Sequence, residues 1–512
     1  MQWLSVIAAA MMAIEVSQAA RILILAPFST PSHRIFFMSM AEALAAKNHS
    51  VTLVTKLNPM KPKPNIREIS IPAPEINSHA DNLFTSNKAS YIFTFFMHWP
   101  KDCADALATK EMEQLKEEEF DLVILSIVMS ECFYSVIHKL QVPFIHANPQ
   151  GLMGIYNDMA NNPQFLSLEP SILMDLEVPL TFSDRMINTL SDIAIRATYF
   201  YFLHILEREC RERRLCSEDM PSPSEMMYNG SLMIVNSMST MEMPVKPSVP
   251  TVVYAGGIHC RPARPLPKEL EEWVAGAGEA GFIYFSLGSA VKTKDMPETY
   301  RNVLLQVLAS LQQRVLWKWD QGTMEDLPPN VRLGKWLPQQ DILGHPSLRL
   351  FITHGGLLST QEATYHGVPL LGLPVYLDQH YNMGQVQQQG WGRVLQWEDI
   401  SYDTLRNHIL HLISNTKMRE EVARRSVIMK DQAVPPGEWT VYWVEYVLRH
   451  NGANHLRCPA INMTWYELYN VDVWLVLVMV LVVVMALTLK VLLLLICCLY
   501  SLLCSTKKHK QH

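Results

Sequence analysis

Apolar and polar positions fall into the same order twice along the chain. Residues 21–26 (Arg-Ile-Leu-Ile-Leu-Ala) form a short apolar run that ends in the turn-prone Pro27-Phe28-Ser29-Thr30-Pro31-Ser32. A helical period over 34–47 and an apolar run at 51–54 complete the pattern of a βαβ unit. A second unit is predicted from a strand at 121–125, a helix near 131–140 and a strand at 143–145. Aromatic-rich stretches lie at 91–99 and 199–206. At helical spacing such stripes suit a core more readily than a ligand pocket.

From 243 to 267 the chain carries Pro244, Pro247, Pro250, Pro262, Pro265 and Pro267, a density that breaks regular structure and predicts an interdomain linker. The alternation then restarts. A strand at 282–285 leads to Gly288-Ser289, a helix near 298–313 and a strand at 314–317. Strands at 348–353 and 370–373 bracket a helix from Ser359, and a loop runs on to Gln379. Two doubly wound halves, 21–242 and 268–450, would face each other across a cleft at the carboxyl ends of their strands.

The two ends carry different information. Residues 1–20 combine an apolar stretch with the small-residue run Ser17-Gln18-Ala19-Ala20, which predicts a signal peptide. After a juxtamembrane segment, 451–472, residues 473–496 are apolar apart from Thr488 and Lys490 and long enough for one transmembrane helix. The basic tail 505–512 would then be cytosolic and the body lumenal. Lys508 and Lys510 stand where a dilysine retrieval signal of the endoplasmic reticulum would place them, and a plain stop-transfer tail fits equally. Cys497, Cys498 and Cys504 are candidates for palmitoylation. Glycosylation sequons begin at Asn48, Asn229 and Asn462. The other cysteines form no close cluster, so disulfides are open and a zinc site is not expected.

Composition narrows the classes. With 512 residues, 49% hydrophobic and 18% charged, the chain has apolar surface enough for packed cores, which excludes a disordered protein. A formal net charge of −6 argues against a nucleic-acid partner.

The chemistry concentrates between Lys335 and Gln379. A strand that ends in His354-Gly355-Gly356 before a helix frees backbone N–H groups and a positive helix end for a phosphate. His354 can add a donor. Trp336 offers a flat face for a base and Gln339 an amide for its edge. Glu362, one turn into the helix, can accept from vicinal ribose hydroxyls, and Asp378-Gln379 can hold a sugar. Ser359 completes the segment.

This segment resembles the donor-binding signature of the UDP-glycosyltransferase family. The likeness runs along nearly the whole chain, through the His33 loop, Gly256-Gly257-Ile258-His259, Gly288-Ser289 and Glu445-Tyr446-Val447-Leu448-Arg449-His450. One His-Gly-Gly alone is a weak signal; the ordered set is specific. His-Gly-Gly-Leu-Leu-Ser and Asp-Gln-His-Tyr-Asn-Met look more like insect members than vertebrate ones. The resemblance implies an α/β protein of the GT-B fold, two Rossmann-like domains facing a cleft, here with one C-terminal transmembrane helix. It implies a UDP-sugar as co-substrate in the C-terminal domain, a small lipophilic acceptor in the N-terminal one, and inversion without a metal or other cofactor. The absence of any Asp-x-Asp motif agrees. Charge on departing UDP would fall to the helix end around Gly356, to His354 and to Ser289.

His33 matches the family's general base. In many relatives a carboxylate at the end of the next mapped strand orients that histidine, and here Ser126 stands there. Asp121 begins the strand and reads as structural, while Glu131 lies about a helical turn beyond. The expectation is an enzyme of the endoplasmic reticulum membrane that moves a hexose, by analogy glucose, to lipophilic hydroxyls in detoxification or hormone conjugation. It could act alone or as a homo- or hetero-oligomer. Ser126 keeps a second reading open, a non-catalytic relative that binds UDP-sugar or lipophiles or regulates an active partner.

Overall fold

A computed structural model describes residues 19–74, 82–84, 88–171, 174, 176, 178–321 and 323–508. The expected signal peptide therefore lies almost wholly outside the described residues, as do the last four residues of the basic tail. The chain divides into two compact units, Met1–Arg457 and Cys458–His512.

The first unit is built on two parallel sheets. One contains β1 (Arg21–Leu25), β2 (Ser50–Thr55), β3 (Ile66–Ser70), β4 (Leu122–Ser126), β5 (Phe144–Asn148), β6 (Met233–Val235) and β7 (Val252–Tyr254), in the order β3-β2-β1-β4-β5-β6-β7. The other contains β8 (Phe282–Ser286), β9 (Arg314–Lys318), β10 (Val331–Gly334), β11 (Leu348–Thr353), β12 (Leu370–Gly372) and β13 (Gly392–Val394), in the order β10-β9-β8-β11-β12-β13. Both orders reverse beside the first strand of their half, between β1 and β4 and between β8 and β11, the topological switch points where such sheets open a crevice. The short apolar runs become strands because both faces are covered. Leu23 and Leu25 enter one core cluster while Ile22 and Ile24 enter another, and Ile283 and Phe285 part from Phe282 and Tyr284 in the same way.

Helices cover these faces. Helix α1 (Pro31–Ala45) starts earlier than the sequence predicts: Thr30 caps it, accepting the His33 N–H at 3.2 Å, and Pro31 takes the first turn. His33 thus stands in a helical first turn instead of a loop. The aromatic stretches lie on α2 (Lys88–Leu107) and α3 (Phe182–Glu212), where Phe96 stacks on Phe202 and Trp99 on Tyr199. The disulfide Cys103–Cys132 ties α2 to the 3-10 turn Glu131–Phe133 that follows β4.

Two expected boundaries look different in space. The proline-rich stretch contains β7, which pairs with β6, because Thr251 to Ala255 is a proline-free island with apolar residues to bury. Helix α10 (Pro436–Arg449), expected in the C-terminal half, buries Val441, Val444 and Val447 in the cluster that holds Phe36 and Phe37 of α1. In the second half, α4 (Glu298–Ala309), α5 (Gln339–Leu343), α6 (Leu357–His366), α7 (Asp378–Gln388), α8 (Tyr402–Ser414) and α9 (Thr416–Lys430) lie between these points.

The second unit contains helix α11 (Val471–Lys508), whose segment Val471–Ser501 is long and apolar enough to cross a membrane. Its 31 residues rise about 46 Å at ~1.5 Å each, beyond the ~30 Å of a hydrocarbon core.

Candidate active site

A cleft of about 550 Å³ opens where the two sets of strand ends face each other, and His33, Ser289, Trp336, Gln339, His354, Gly356, Ser359, Glu362, Asp378 and Gln379 all line it. Its C-terminal wall is organised around His354. The ring fits because Gly288, which follows β8, and Gly356, the N-cap of α6, have no side chain. A Cβ on Gly288 would lie 2.4 Å from His354 Cε1, and one on Gly356 would lie 2.6 Å from Nε2. Burial, helped by the Lys318 ammonium, lowers the His354 pKa to about 4. The imidazole is therefore neutral at pH 7 and acts as a hydrogen-bonding group, not a cation. No side chain caps α6, so its first N–H groups are available to an anion in the cleft. Ser289 lines the same cleft.

Lys318, at the end of β9, also lines this wall and donates to the Gly288 carbonyl at 2.7 Å. Sequence reading missed it. Its signal was position alone, a lysine at the carboxyl end of a strand beside the switch point.

Gln339 and Glu362 meet directly. The Gln339 Nε2 donates to Glu362 Oε2 at 2.5 Å and to Ser359 Oγ at 3.0 Å, while its Oε1 accepts from the Tyr284 hydroxyl at 3.1 Å. Burial pushes the Glu362 carboxyl up to about 7, against the pull of Gln339. Trp336 is 71% exposed, leaving its indole free to stack.

Asp378 accepts from Asn382 Nδ2 at 2.8 Å, and burial raises its pKa to about 6. Gln379 turns back on its own loop, its Oε1 accepting the N–H groups of Val375 at 2.8 Å and Tyr376 at 3.1 Å. That hook accompanies Leu377 at φ 51, a conformation few non-glycine residues adopt. The halves are clamped by Gln361, which donates to the Asn236 carbonyl at 2.9 Å and accepts the Gly257 N–H at 3.3 Å. Gly256 is required here, since a Cβ would lie 2.5 Å from the Ser237 backbone carbon.

In the opposite wall, His33 is partly exposed to the cleft. Burial of its ring, with a smaller contribution from Lys56, lowers its pKa to about 4. None of the sequence's candidate acids reaches it. The Ser126 hydroxyl accepts the Val128 N–H at 3.3 Å and lies outside the cleft lining. Asp121 accepts the Arg21 N–H at 2.6 Å, a strand-end pin. Glu131 lines the cleft but pairs with the Tyr199 hydroxyl at 2.7 Å. The rest of this wall is largely apolar: Phe95, Phe96, Trp99, Ile127, Met129 and Leu152 contribute, so the aromatic stripes serve core and pocket together.

Residues 11–510 match the family described as UDP-glucoronosyl and UDP-glucosyl transferase. The chain belongs to the UDP-glycosyltransferase family. UDP-glucuronosyltransferase 2B14 of Oryctolagus cuniculus is 35% identical over 378 residues, 72% of this chain and 69% of that protein. UDP-glucosyltransferase 2 of Dactylopius coccus is 32% identical over 466 residues, 89% of each chain. Among solved structures, CalG4, the calicheamicin glycosyltransferase, superposes with a TM-score of 0.58 at 16% identity, covering 84% of this chain and 99% of that one. This UDP-glycosyltransferase accordingly has the GT-B fold and transfers a glycosyl group from a UDP-sugar.

Proposed function

We propose that this enzyme transfers a hexose, glucose in particular, from its UDP-sugar to a hydroxyl of a small lipophilic acceptor, with inversion at the anomeric carbon. The observation that carries the reading is the shared cleft: His33 and an apolar wall on one side, His354, Glu362 and Asp378 on the other.

The base stacks on Trp336, and the Glu362 carboxylate accepts the ribose hydroxyls. The diphosphate lies against the N–H groups of α6, Ser289 and Lys318, with His354 as a neutral donor. These groups are fixed before the substrate arrives, so stabilising the departing UDP needs little reorganisation. Asp378 accepts from sugar hydroxyls. Gln379 meets the sugar through its amide nitrogen, since its oxygen holds the loop. The acceptor oxygen attacks C1, the bond from C1 to the UDP oxygen breaks with its electron pair leaving on UDP, and His33 takes the acceptor proton. No metal enters the scheme, and EDTA should leave transfer unchanged.

The chain is read as a single-pass protein of the endoplasmic reticulum membrane, its body lumenal and its basic tail cytosolic. The sequon residues Asn48, Asn229 and Asn462 are exposed. Microsomes containing the chain, labelled UDP-glucose and a panel of phenols and steroids test the proposal, with His33→Ala as control. Transfer that survives in the mutant removes His33 as the base. UDP-glucose binding without transfer to any acceptor favours the regulatory reading that Ser126 left open.

A further inference from the structure

Ala19 and Ala20, just ahead of β1, stand in different surroundings: Ala19 is exposed and Ala20 is buried. Ala20 joins the core cluster that β1 shares with α1, and its carbonyl accepts the Ser50 N–H at 2.9 Å. Its own N–H donates to Nδ1 of His49, a fully buried side chain, at 3.1 Å. A backbone N–H can only donate, so Nδ1 is the bare ring nitrogen and Nε2 carries the proton. Nε2 therefore donates to Glu445 Oε1 at 3.2 Å. Glu445 lies on α10, 396 positions from His49, and its other oxygen accepts from Arg449 at 3.5 Å. A relay of donors thus runs from the Ala20 nitrogen through a buried imidazole to a carboxylate.

That nitrogen stands at the edge of the predicted signal peptide. A signal peptidase reads small residues one and three positions before its cut. Ser17 and Ala19 supply them for a cut between Ala19 and Ala20, whereas a cut one residue later puts Gln18 at the third position. The hydrogen bonds point the same way. A chain without Ala20 would leave His49 Nδ1 buried with no donor, a costly state for a polar atom. Hydrolysis of the Ala19–Ala20 amide by such a peptidase, with water, leaves a carboxylate on Ala19 and an α-ammonium on Ala20. An ammonium donates more strongly than an amide N–H, and Glu445 supplies the opposite charge through the imidazole.

We infer that His49 and Glu445 form the docking site for the chain's own new α-ammonium, so that the processed protein begins at Ala20 with its first nitrogen donating to His49 Nδ1. The inference rests on the lumenal reading above. It gives processing a structural consequence, since the charge created at the cut ties the start of the first sheet to α10, which packs on α1.

The full chain, expressed in eukaryotic microsomes and purified in detergent, is the material for the test. Mass spectrometry of its N-terminal peptide identifies the first residue. The same peptide then reports how fast an acetylating ester labels the α-amine in native protein and in urea. We expect Ala20 at the start and labelling at least tenfold slower in the native state. Glu445→Gln and His49→Leu should each bring the two rates within about threefold, and His49→Leu keeps the sequon at Asn48 intact. Neither residue lines the cleft, so UDP affinity and transfer should stay within about twofold. Should His49→Leu fail to fold, Glu445→Gln carries the comparison. Equal labelling of native and unfolded wild type, or protection unchanged in the variants, overturns the docking site. So does a chain that begins at Arg21, whose N–H would leave Asp121 as the partner of the new amine, or at Ala19; each of these starts leaves the lumenal reading standing. A chain that keeps Met1 overturns the signal peptide and the docking site together, so the two failures are distinct.

Discussion

The side chains of Gln339 and Glu362 are joined, Nε2 to Oε2, at 2.5 Å, linking the first residue of α5 to the second turn of α6. One carboxylate oxygen is thereby engaged before any nucleotide binds, and the carboxyl's pKa of about 7 makes its charge depend on pH in the working range. Ribose hydroxyls donate to the ionised form. UDP affinity should therefore rise with pH between 6 and 8 as Glu362 loses its proton, by up to about tenfold, the range over which a group with that pKa ionises. His354, with a pKa of about 4, stays neutral across that interval in the free enzyme. Calorimetric titration of UDP at pH 6, 7 and 8 measures the slope, and Glu362→Gln should flatten it. A slope that persists in the variant would assign the titration elsewhere.

His33 is already neutral well below physiological pH, so no proton need leave it before it acts as a base. With UDP-sugar saturating, so that the Glu362 ionisation drops out, the acid limb of kcat/KM for the acceptor should accordingly lie below pH 6, closer to the lowered pKa of about 4 than to the ordinary 6.5 of histidine. His33→Ala should reduce transfer by about 10²–10⁴-fold and leave UDP affinity within about twofold. Rate profiles from pH 4.5 to 8, with UDP binding measured in parallel, check both. An acid limb at 6.5 that survives the mutation would refute the assignment.

Ser126 ends β4, where the family resemblance leads one to expect an orienting carboxylate, and introducing that acid is the natural experiment. The geometry predicts no gain. Ser126 is buried and its oxygen is engaged by the Val128 N–H, so an aspartate there would bury a charge at a site that, among the described residues, makes no hydrogen bond to His33. Ser126→Asp should leave transfer unchanged or lower and reduce Tm, at a cost of several kcal/mol if the charge stays unpaired. A severalfold increase in kcat would mean that the new carboxylate reaches the imidazole and that the dyad position is functional.

The donor wall was legible in the sequence because it is local. From His354 to Glu362 the strand end, glycine pair and helix start lie within nine positions, and the helix period alone places Glu362 beyond the phosphate end. Gln379 was legible as a cleft residue but not as a loop hook, since its partners Val375 and Tyr376 offer backbone N–H groups that leave no mark on composition. The start of α1 was written in Thr30-Pro31, a cap followed by a first-turn proline, although the surrounding prolines gave it the look of a turn. Helix α3 reads as an aromatic stripe over 199–206, and of that stretch Tyr199, Phe202, Leu203 and Leu206 are buried. That α10 packs on α1 is tertiary information: a stripe of Val441, Val444 and Val447 predicts a buried face without saying which half buries it. The pairing of Cys103 with Cys132 required the fold, for nothing in their spacing selected them from the other cysteines.

That disulfide yields its own prediction, since Cys132 follows Glu131 directly and Cys103 lies on the helix that carries Trp99. Its loss should loosen the acceptor wall while the donor wall, in the other sheet, stays intact. The double variant Cys103→Ser, Cys132→Ser should lose about 2–4 kcal/mol of stability and raise acceptor KM severalfold with UDP affinity within about twofold. Thermal unfolding and the two binding titrations report the three quantities. A parallel loss of UDP binding would show that the disulfide supports the whole cleft.

Gly288 tests whether His354 must stand where it does. Its φ of 76 is a left-handed conformation that alanine enters at a cost of about 1–2 kcal/mol, and the added Cβ would come within 2.4 Å of the His354 ring. The ring must turn away, taking its donor from the diphosphate and crowding the mouth of α6. Gly288→Ala should thus weaken UDP binding tenfold or more, and Gly356→Ala, whose Cβ would lie 2.6 Å from Nε2, should do the same from the other side. Gly384 is the control. It lies within α7 with nothing within 4 Å of an added Cβ, so Gly384→Ala should keep UDP affinity and raise stability by roughly 0.5–1 kcal/mol. Calorimetry on the three variants separates a steric demand at His354 from a general intolerance of alanine. If Gly288→Ala and Gly356→Ala bind UDP as well as Gly384→Ala does, His354 is a wall of the cleft and not a ligand of the phosphates.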